Sequence, residues 1–313
     1  MPDYGHPLAF GYFLLPDIAD PAATLATARL LDELGYDFIG IQDHPYNPSH
    51  LDALSLLAVI LGQTERVRVF PTVANLGMRP PAMLAKAAAS LDQLSGGRFE
   101  LGLGAGGFRE PMLAMGGEAR SPGENVQALT EAIEIIRAMW SGAPAAQYTG
   151  TYYRLSGVHP GPRPVHDMGI WIGGYGPRVL KLIGRAADGW VCPLMNYVPP
   201  GPAAQLSAVI DGAARQVHRP LSAIRRIYIV PGRVSSSAPR PASDADRSIV
   251  GPVDHWVEVL EHLAADLGFG TFVFAGPSDP HTLRTFINEV APRVRERVAA
   301  RRATVFGSQH IEP

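Results

Sequence analysis

The sequence has a single cysteine, Cys192, in 313 residues, and that excludes an internal disulfide framework. No CxxC pair and no catalytic-thiol context surrounds it. Cys192 therefore reads as a buried structural thiol, and any redox chemistry must come from a bound cofactor. Lysine is nearly absent: of 27 basic residues only Lys86 and Lys181 are lysine, and with abundant Ala, Gly, Pro and Arg this is the usage of a GC-rich genome. Excess positive charge is missing too. The 27 basic residues against 29 acidic ones leave a formal net charge of -2, so the composition offers no grip on a phosphate backbone or an acidic lipid surface. Neither nucleic acid nor a membrane is an expected partner. No apolar run approaches the roughly 18 to 20 residues of a membrane span, and the opening MPDYGHPLAFGYFLLPD lacks the basic and apolar regions of a signal peptide. The expected location is cytoplasmic and the expected ligand is a small molecule.

What is present is the composition of an ordinary globular protein, 46% hydrophobic and 18% charged, and residues 1–313 read as one domain. Two segments echo each other, LLDELGYDFIGIQDH (30–44) and HLAADLGFGTFVFAG (262–276). In each, an amphipathic helix stops at a glycine suited to the left-handed cap conformation and a short β-rich run follows. Similar units fill the chain between them. Strands are expected near 10–14, 38–42, 67–72, 99–104, 170–173, 189–191, 227–231 and 271–274. Helices are expected near 22–34, 54–63, 82–94, 124–140, 178–186, 203–216, 253–267 and 282–300. Eight alternations predict an α/β fold, a closed (β/α)8 TIM barrel with insertion loops at its C-terminal face. The alternative, an open doubly wound sheet, wants a glycine-rich turn after its first strand, and FLLPDIADP has none. The insertions are 105–123 with an apparent hairpin at 147–154, and the Ser/Ala/Pro-rich stretch 232–252. The latter is expected to be mobile and able to close over a substrate. Residues 301–313 are expected to form a flexible tail.

In such a barrel the active site lies at the carboxyl ends of the strands. The second strand ends on Asp43 and His44, a carboxylate beside an imidazole able to exchange a proton near neutral pH. A metal reading of Asp43, His44 and His50 matches no familiar ligand spacing. The fifth strand runs through IGGYGPR into a helix whose first turn carries Arg178. Its glycines, free helix amides and guanidinium suit a phosphate. GLGAGG (102–107) reads as backbone lying flat against a planar ring, with PTVANLGM (71–78) on the opposite side.

IQDHPY, SLDQLSGGRFELGLGAG and IWIGGYGPRVLKLIGRAADGW, in this order, resemble the luciferase-like monooxygenase superfamily, TIM barrels that bind FMN or the deazaflavin coenzyme F420. The resemblance implies catalytic roles for His44 and Asp43, with Asp43 also beside the cofactor ring. It implies that Thr72, Val73 and Asn75 form the bulge behind the ring, with a bulge or a cis peptide near Thr72 and Val73. Ala105 and Gly106 would run along the ring's edge, and Gly174, Gly176, Arg178 and Val179 would hold the phosphate. The chain departs from the pattern at one place. Sugar-phosphate dehydrogenases of the superfamily carry a glutamate after the GxG of the fourth strand, where this sequence has Gly107, and Glu110 is the nearest replacement. The DH pair resembles the F420 branch, and hydride transfer to or from a small organic substrate is the favoured activity. The alternatives are an FMN-dependent two-component monooxygenase, served by a separate flavin reductase, and a non-catalytic flavin-binding barrel. A homodimer and a separate F420 reductase are further implications of the resemblance.

Overall fold

The computed structural model describes residues 3–118, 120–236 and 243–308. Its chain order is β1 (Ala9–Leu14), α1 (Pro21–Leu34), β2 (Phe38–Ile41), α2 (Ala53–Gln63), β3 (Arg68–Pro71), β4 (Ala74–Asn75), α3 (Pro81–Ser95), β5 (Leu101–Gly104), α4 (Arg109–Ala114) and α5 (Pro122–Trp140). A hairpin of β6 (Ala146–Thr149) and β7 (Arg154–Val158) follows. Then come β8 (Ile170–Gly173), α6 (Pro177–Ala186), β9 (Gly189–Cys192), α7 (Pro200–Gln216), β10 (Arg225–Val234), β11 (Ile249–Gly251), α8 (Val253–Ala265), β12 (Thr271–Ala275) and α9 (Pro280–Thr285). A π-helical turn, Phe286–Val290, joins α9 to α10 (Ala291–Ser308).

The strands pair in parallel in the order β3-β2-β1-β12-β10-β9-β8-β5-β4. The ring closes because the third barrel strand is broken in two. Its lower half, β3, bridges to Phe99, with the Val69 amide donating to the Arg98 carbonyl and the Glu100 amide to the Val69 carbonyl, both at 2.9 Å. Its upper half, β4, pairs with β5. All eight predicted strands are found, and this break is where the third departs from the expected continuous run 67–72.

Side chains alternate across the barrel wall as the period of a strand requires. Phe38, Phe70, Trp171, Ile227, Ile229 and Val273 fill the interior, while Ile39, Val69, Ile170, Ile172, Tyr228 and Phe272 pack under the helices. The interior rings meet edge to face, Phe70 and Trp171 at 5.1 Å and Phe38 and Trp171 at 5.5 Å. Proline opens α1, α3, α5, α6, α7 and α9. At the first helical position it has no amide to waste and its φ is already helical. The two echoed units end their helices as expected, with Gly35 at φ 80° and Gly268 at φ 78°.

Within 232–252, residues 232–234 extend β10 and pair with β11, and the Asp244 carbonyl accepts from the Gly201 amide at 2.8 Å. Residues 237–242 of that predicted loop and 309–313 of the predicted tail lie outside the described residues; α10 occupies 301–308. Among the described residues no helix is long and apolar enough to cross a membrane.

Candidate active site

The carboxyl ends of the strands surround a cavity of about 750 Å³. Its floor is set by the Thr72–Val73 peptide, which is cis, one of the two forms the family resemblance implied. Val73 turns its isopropyl group into a hollow left by glycines of two strands. A Cβ on Gly104 would come 2.5 Å from Val73 Cγ2, and one on Gly173 would come 2.9 Å from it. A Cβ on Gly102 would sit 1.9 Å from the Pro71 carbonyl oxygen. Two of the glycines expected to lie against a ring, Gly102 and Gly104, are therefore small to admit the β3–β4 break. Gly107, at the end of the same motif, has nothing within 4 Å of its Cβ position and lines the cavity. That is the bare stretch of backbone which a flat ligand can approach.

Asp43 is buried, and its carboxylate is fully engaged. Its Oδ2 accepts from the Asn75 amide and from Arg79 Nε, and its Oδ1 accepts from Arg79 Nη2, all at 2.9 Å. Arg79 also reaches Asp52, the N-cap of α2. Burial opposes the charge on Asp52, but the bonds from Arg79 and Ser55 outweigh it and hold the carboxyl below its ordinary range. Asp43 is thus a strut that fixes the second strand's end against the third, each of its oxygens already accepting from Arg79.

His44 is half-buried on the cavity wall. Its Nδ1 shares a 2.7 Å hydrogen bond with the Tyr46 hydroxyl, and among the described residues Nε2 has no partner. Its ring meets Phe108 edge-on at 5.3 Å and Tyr46 at 5.5 Å. Burial first, and the neighbouring His50 second, lower the His44 pKa, while Asp43 pulls the other way. Burial, then Asp43, push Tyr46 up to about 12, so it stays protonated.

Across the cavity, Gly174 takes φ 151°, where a Cβ would strike Val179 at 2.8 Å. The Trp190 Nε1–H donates to its carbonyl at 2.8 Å. Gly176 caps α6 without a side chain and leaves the first-turn amides free to face an anion. Of the predicted site residues, Asp43, His44, Thr72, Val73, Asn75, Ala105, Gly106, Gly174, Gly176 and Val179 line one cavity. Arg178 does not line it. It is exposed on the rim, its guanidinium over Gly123, whose Cβ would come 2.7 Å from Nη1. Glu110 is exposed on α4 and also stands outside the lining.

Sequence reasoning passed over Arg79, Phe108, Arg109, Arg120 and Asn125. Arg79 had one visible signal, a cation directly before the Pro80-Pro81 start of a helix and next to a strand end bearing a carboxylate. Phe108, Arg109 and Arg120 sit on the insertion 105–123, whose path no periodicity dictates, and Asn125 is in the first turns of α5.

Residues 8–246 match the family model described as luciferase-like monooxygenase. The chain belongs to that family. This luciferase-like chain is 32% identical over 191 residues to an F420-dependent glucose-6-phosphate dehydrogenase of Microbacterium testaceum, an alignment covering 59% of this chain and 56% of that protein. It is 32% identical over 161 residues to a 5,10-methylenetetrahydromethanopterin reductase of Archaeoglobus fulgidus, covering 51% and 46%. The chain spans about half the length of these curated relatives. The solved structure of an F420-dependent secondary alcohol dehydrogenase in complex with an F420-acetone adduct has the same fold. Its TM-score is 0.80 at 18% identity, over 92% of this chain and 99% of that one.

Proposed function

We propose that the protein is an oxidoreductase that uses coenzyme F420 to move a hydride to or from a small organic substrate, with His44 handling the proton. One observation carries this reading. His44 is the imidazole on the wall of a cavity whose lining contains a single carboxylate, Asp43, and that carboxylate is committed to Arg79 and Asn75.

The residues present fit a flat ring with an anionic tail. Gly107 and Gly176 leave backbone uncovered at the cavity, and the free amides of α6 with Arg178 nearby complement a phosphate. F420 supplies, when bound, a ring carbon that takes up or releases a hydride. The chain supplies the rest. The Tyr46 hydroxyl shares a hydrogen bond with His44 Nδ1, which leaves Nε2 as the ring nitrogen that exchanges a proton with the substrate. The Asp43–Arg79 pair keeps the strand end that bears His44 in place. The same reading includes a homodimer and a separate F420 reductase, carried by the family resemblance, and a cytoplasmic place of action, carried by the absence of a signal-peptide pattern and of an apolar run of membrane-span length in the sequence.

Fluorescence titration of the apo protein with F420 and with FMN tests the cofactor. F420 should bind at least tenfold tighter. Tighter FMN binding with oxygen-dependent turnover would replace this reading by the monooxygenase. His44→Ala should leave F420 affinity unchanged and slow turnover by about 10²- to 10⁴-fold. Unchanged turnover would remove His44 from the chemistry.

A further inference from the structure

We infer that Arg109 selects the substrate by receiving an anionic group on it, a carboxylate or a phosphate. That assignment deepens the hydride-transfer reading and rests on it.

The cavity carries one positive charge without a counter-charge. The carboxylate and guanidinium side chains of its lining are Asp43, Arg109 and Arg120. Asp43 is neutralised by Arg79. Arg120 is paired with Glu118, and its guanidinium lies over Tyr152 and Tyr153 at 5.0 and 5.3 Å. Arg109 is left over. It is exposed, and among the described residues its guanidinium has neither an ion pair nor a hydrogen bond. The acid it acts on is Glu124, whose carboxyl is held below its ordinary value first by its hydrogen bond with Ser121 and only further by Arg120 and Arg109. That carboxylate already serves the capping box at the start of α5. A guanidinium that faces a cleft with no partner can grip a carboxylate or a phosphate through two parallel hydrogen bonds.

Position puts this anion on the substrate rather than on the cofactor. Phe108, directly before Arg109, meets the His44 ring edge-on at 5.3 Å and lies 5.9 Å from that of Tyr46. Arg109 therefore continues the wall that bears the proton-handling histidine. The cofactor's phosphate has its own place at the free amides of α6, where Gly176 is the cap and Arg178 reaches over Gly123. Around Arg109 the lining adds the side-chain amides of Gln42, Asn125 and Asn196 for further polar groups of the substrate, and the exposed faces of Phe108 and Tyr197 for its apolar ones. The unmatched charge draws an anion into the mouth and fixes its orientation relative to His44. Because Arg109 is exposed, water and salt weaken the contact, and an effect of about tenfold is expected of it.

The test uses the full chain as wild type, Arg109→Gln and Arg109→Lys, changes at an exposed position. F420 affinity, read by fluorescence, should be the same in all three. Calorimetric titration of the F420 complex then compares benzoate and phenyl phosphate with neutral benzyl alcohol. In wild type at least one of the two anions should bind about tenfold tighter than the alcohol, and high salt should shrink the difference. The tighter anion identifies the group as carboxylate or phosphate. Arg109→Gln should lose the preference without changing affinity for benzyl alcohol, and Arg109→Lys, which keeps the charge, should retain part of it. Failure of the wild type to bind F420 overturns the hydride-transfer reading and this inference with it. If F420 binds, three results each overturn the inference alone: no anion preference in wild type, a preference that survives Arg109→Gln, or weakened F420 binding in Arg109→Gln, which would assign the arginine to the cofactor's tail.

Discussion

Arg79 grips Asp43 through two parallel hydrogen bonds of 2.9 Å, Nε to Oδ2 and Nη2 to Oδ1, and the Asp43 side chain is 1% exposed. A buried carboxylate that loses such a partner keeps its desolvation cost without its compensation. Arg79→Ala should therefore destabilise the fold by about 3 to 5 kcal/mol, measured by urea denaturation. The double variant Asp43→Asn/Arg79→Gln should cost less than the two single changes added together, because it removes charge and countercharge at once. Additive losses would show that the pair is not coupled.

The proton-handling role of His44 has a pH signature. Three titratable groups face it: Tyr46 through the shared hydrogen bond, His50 across 6.5 Å between ring centres, and Asp43 behind it, neutralised by Arg79. Burial and His50 lower its pKa, so the unprotonated form already dominates at pH 7. If His44 takes up the proton, substrate oxidation should rise with pH through a midpoint below the ordinary imidazole value of about 6.5 and be level above it. The reverse reduction should fall over the same range. Tyr46→Phe removes the Nδ1 partner and should move that midpoint while lowering kcat more than it raises KM. A rate profile identical to wild type would leave Tyr46 as wall alone.

The glycines of GLGAGG should separate sharply by position. Gly102→Ala places a Cβ 1.9 Å from the Pro71 carbonyl oxygen and should lower Tm markedly or prevent folding. Gly107→Val adds bulk where nothing lies within 4 Å, so Tm should hold while F420 affinity falls at least tenfold. Calorimetry and fluorescence titration on both variants check the contrast. Equal affinity in Gly107→Val would mean that the cofactor lies away from this loop.

Acid stability should depend on His6, whose Nε2 is buried without a partner. Burial, then Arg225, lower its pKa to about 4. Between about 4 and the unfolded value of about 6.5, the unfolded chain binds the extra proton, so stability is whole above that window and declines as pH falls through it. His6→Gln should show a smaller drop in thermal midpoint between pH 7 and pH 4.5 than wild type. Parallel curves would contradict it.

The alternation of strands and helices was legible because each unit carries its own punctuation. Gly35 and Gly268 stop helices, and prolines such as Pro21 and Pro177 start them. The mouth of the barrel was legible as well, since Asp43, Asn75, Gly106 and Gly174 stand at or within two residues past a strand's end and barrel geometry alone brings those ends together. Contacts between side chains distant in sequence could not be read this way. Nothing local says that Arg79 turns back onto Asp43, 36 residues earlier. The purpose of Gly102 and Gly104 was misread for a related reason, because a glycine shows that space is needed without showing what fills it. Arg178 was placed by residue type, and its long side chain reaches over Gly123 without joining the cavity lining.

The seating of Val73 against Gly102, Gly104 and Gly173 makes four positions on three strands a single inheritable unit. A side chain gained at Gly104 or Gly173 must be matched by atoms surrendered at position 73, while Gly102 is held by the backbone carbonyl of Pro71, which cannot be trimmed. Lineages descended from this sequence should preserve the quartet or exchange it wholesale. A laboratory library intended to widen the chamber should begin by trimming Val73, the one member with carbon to give up.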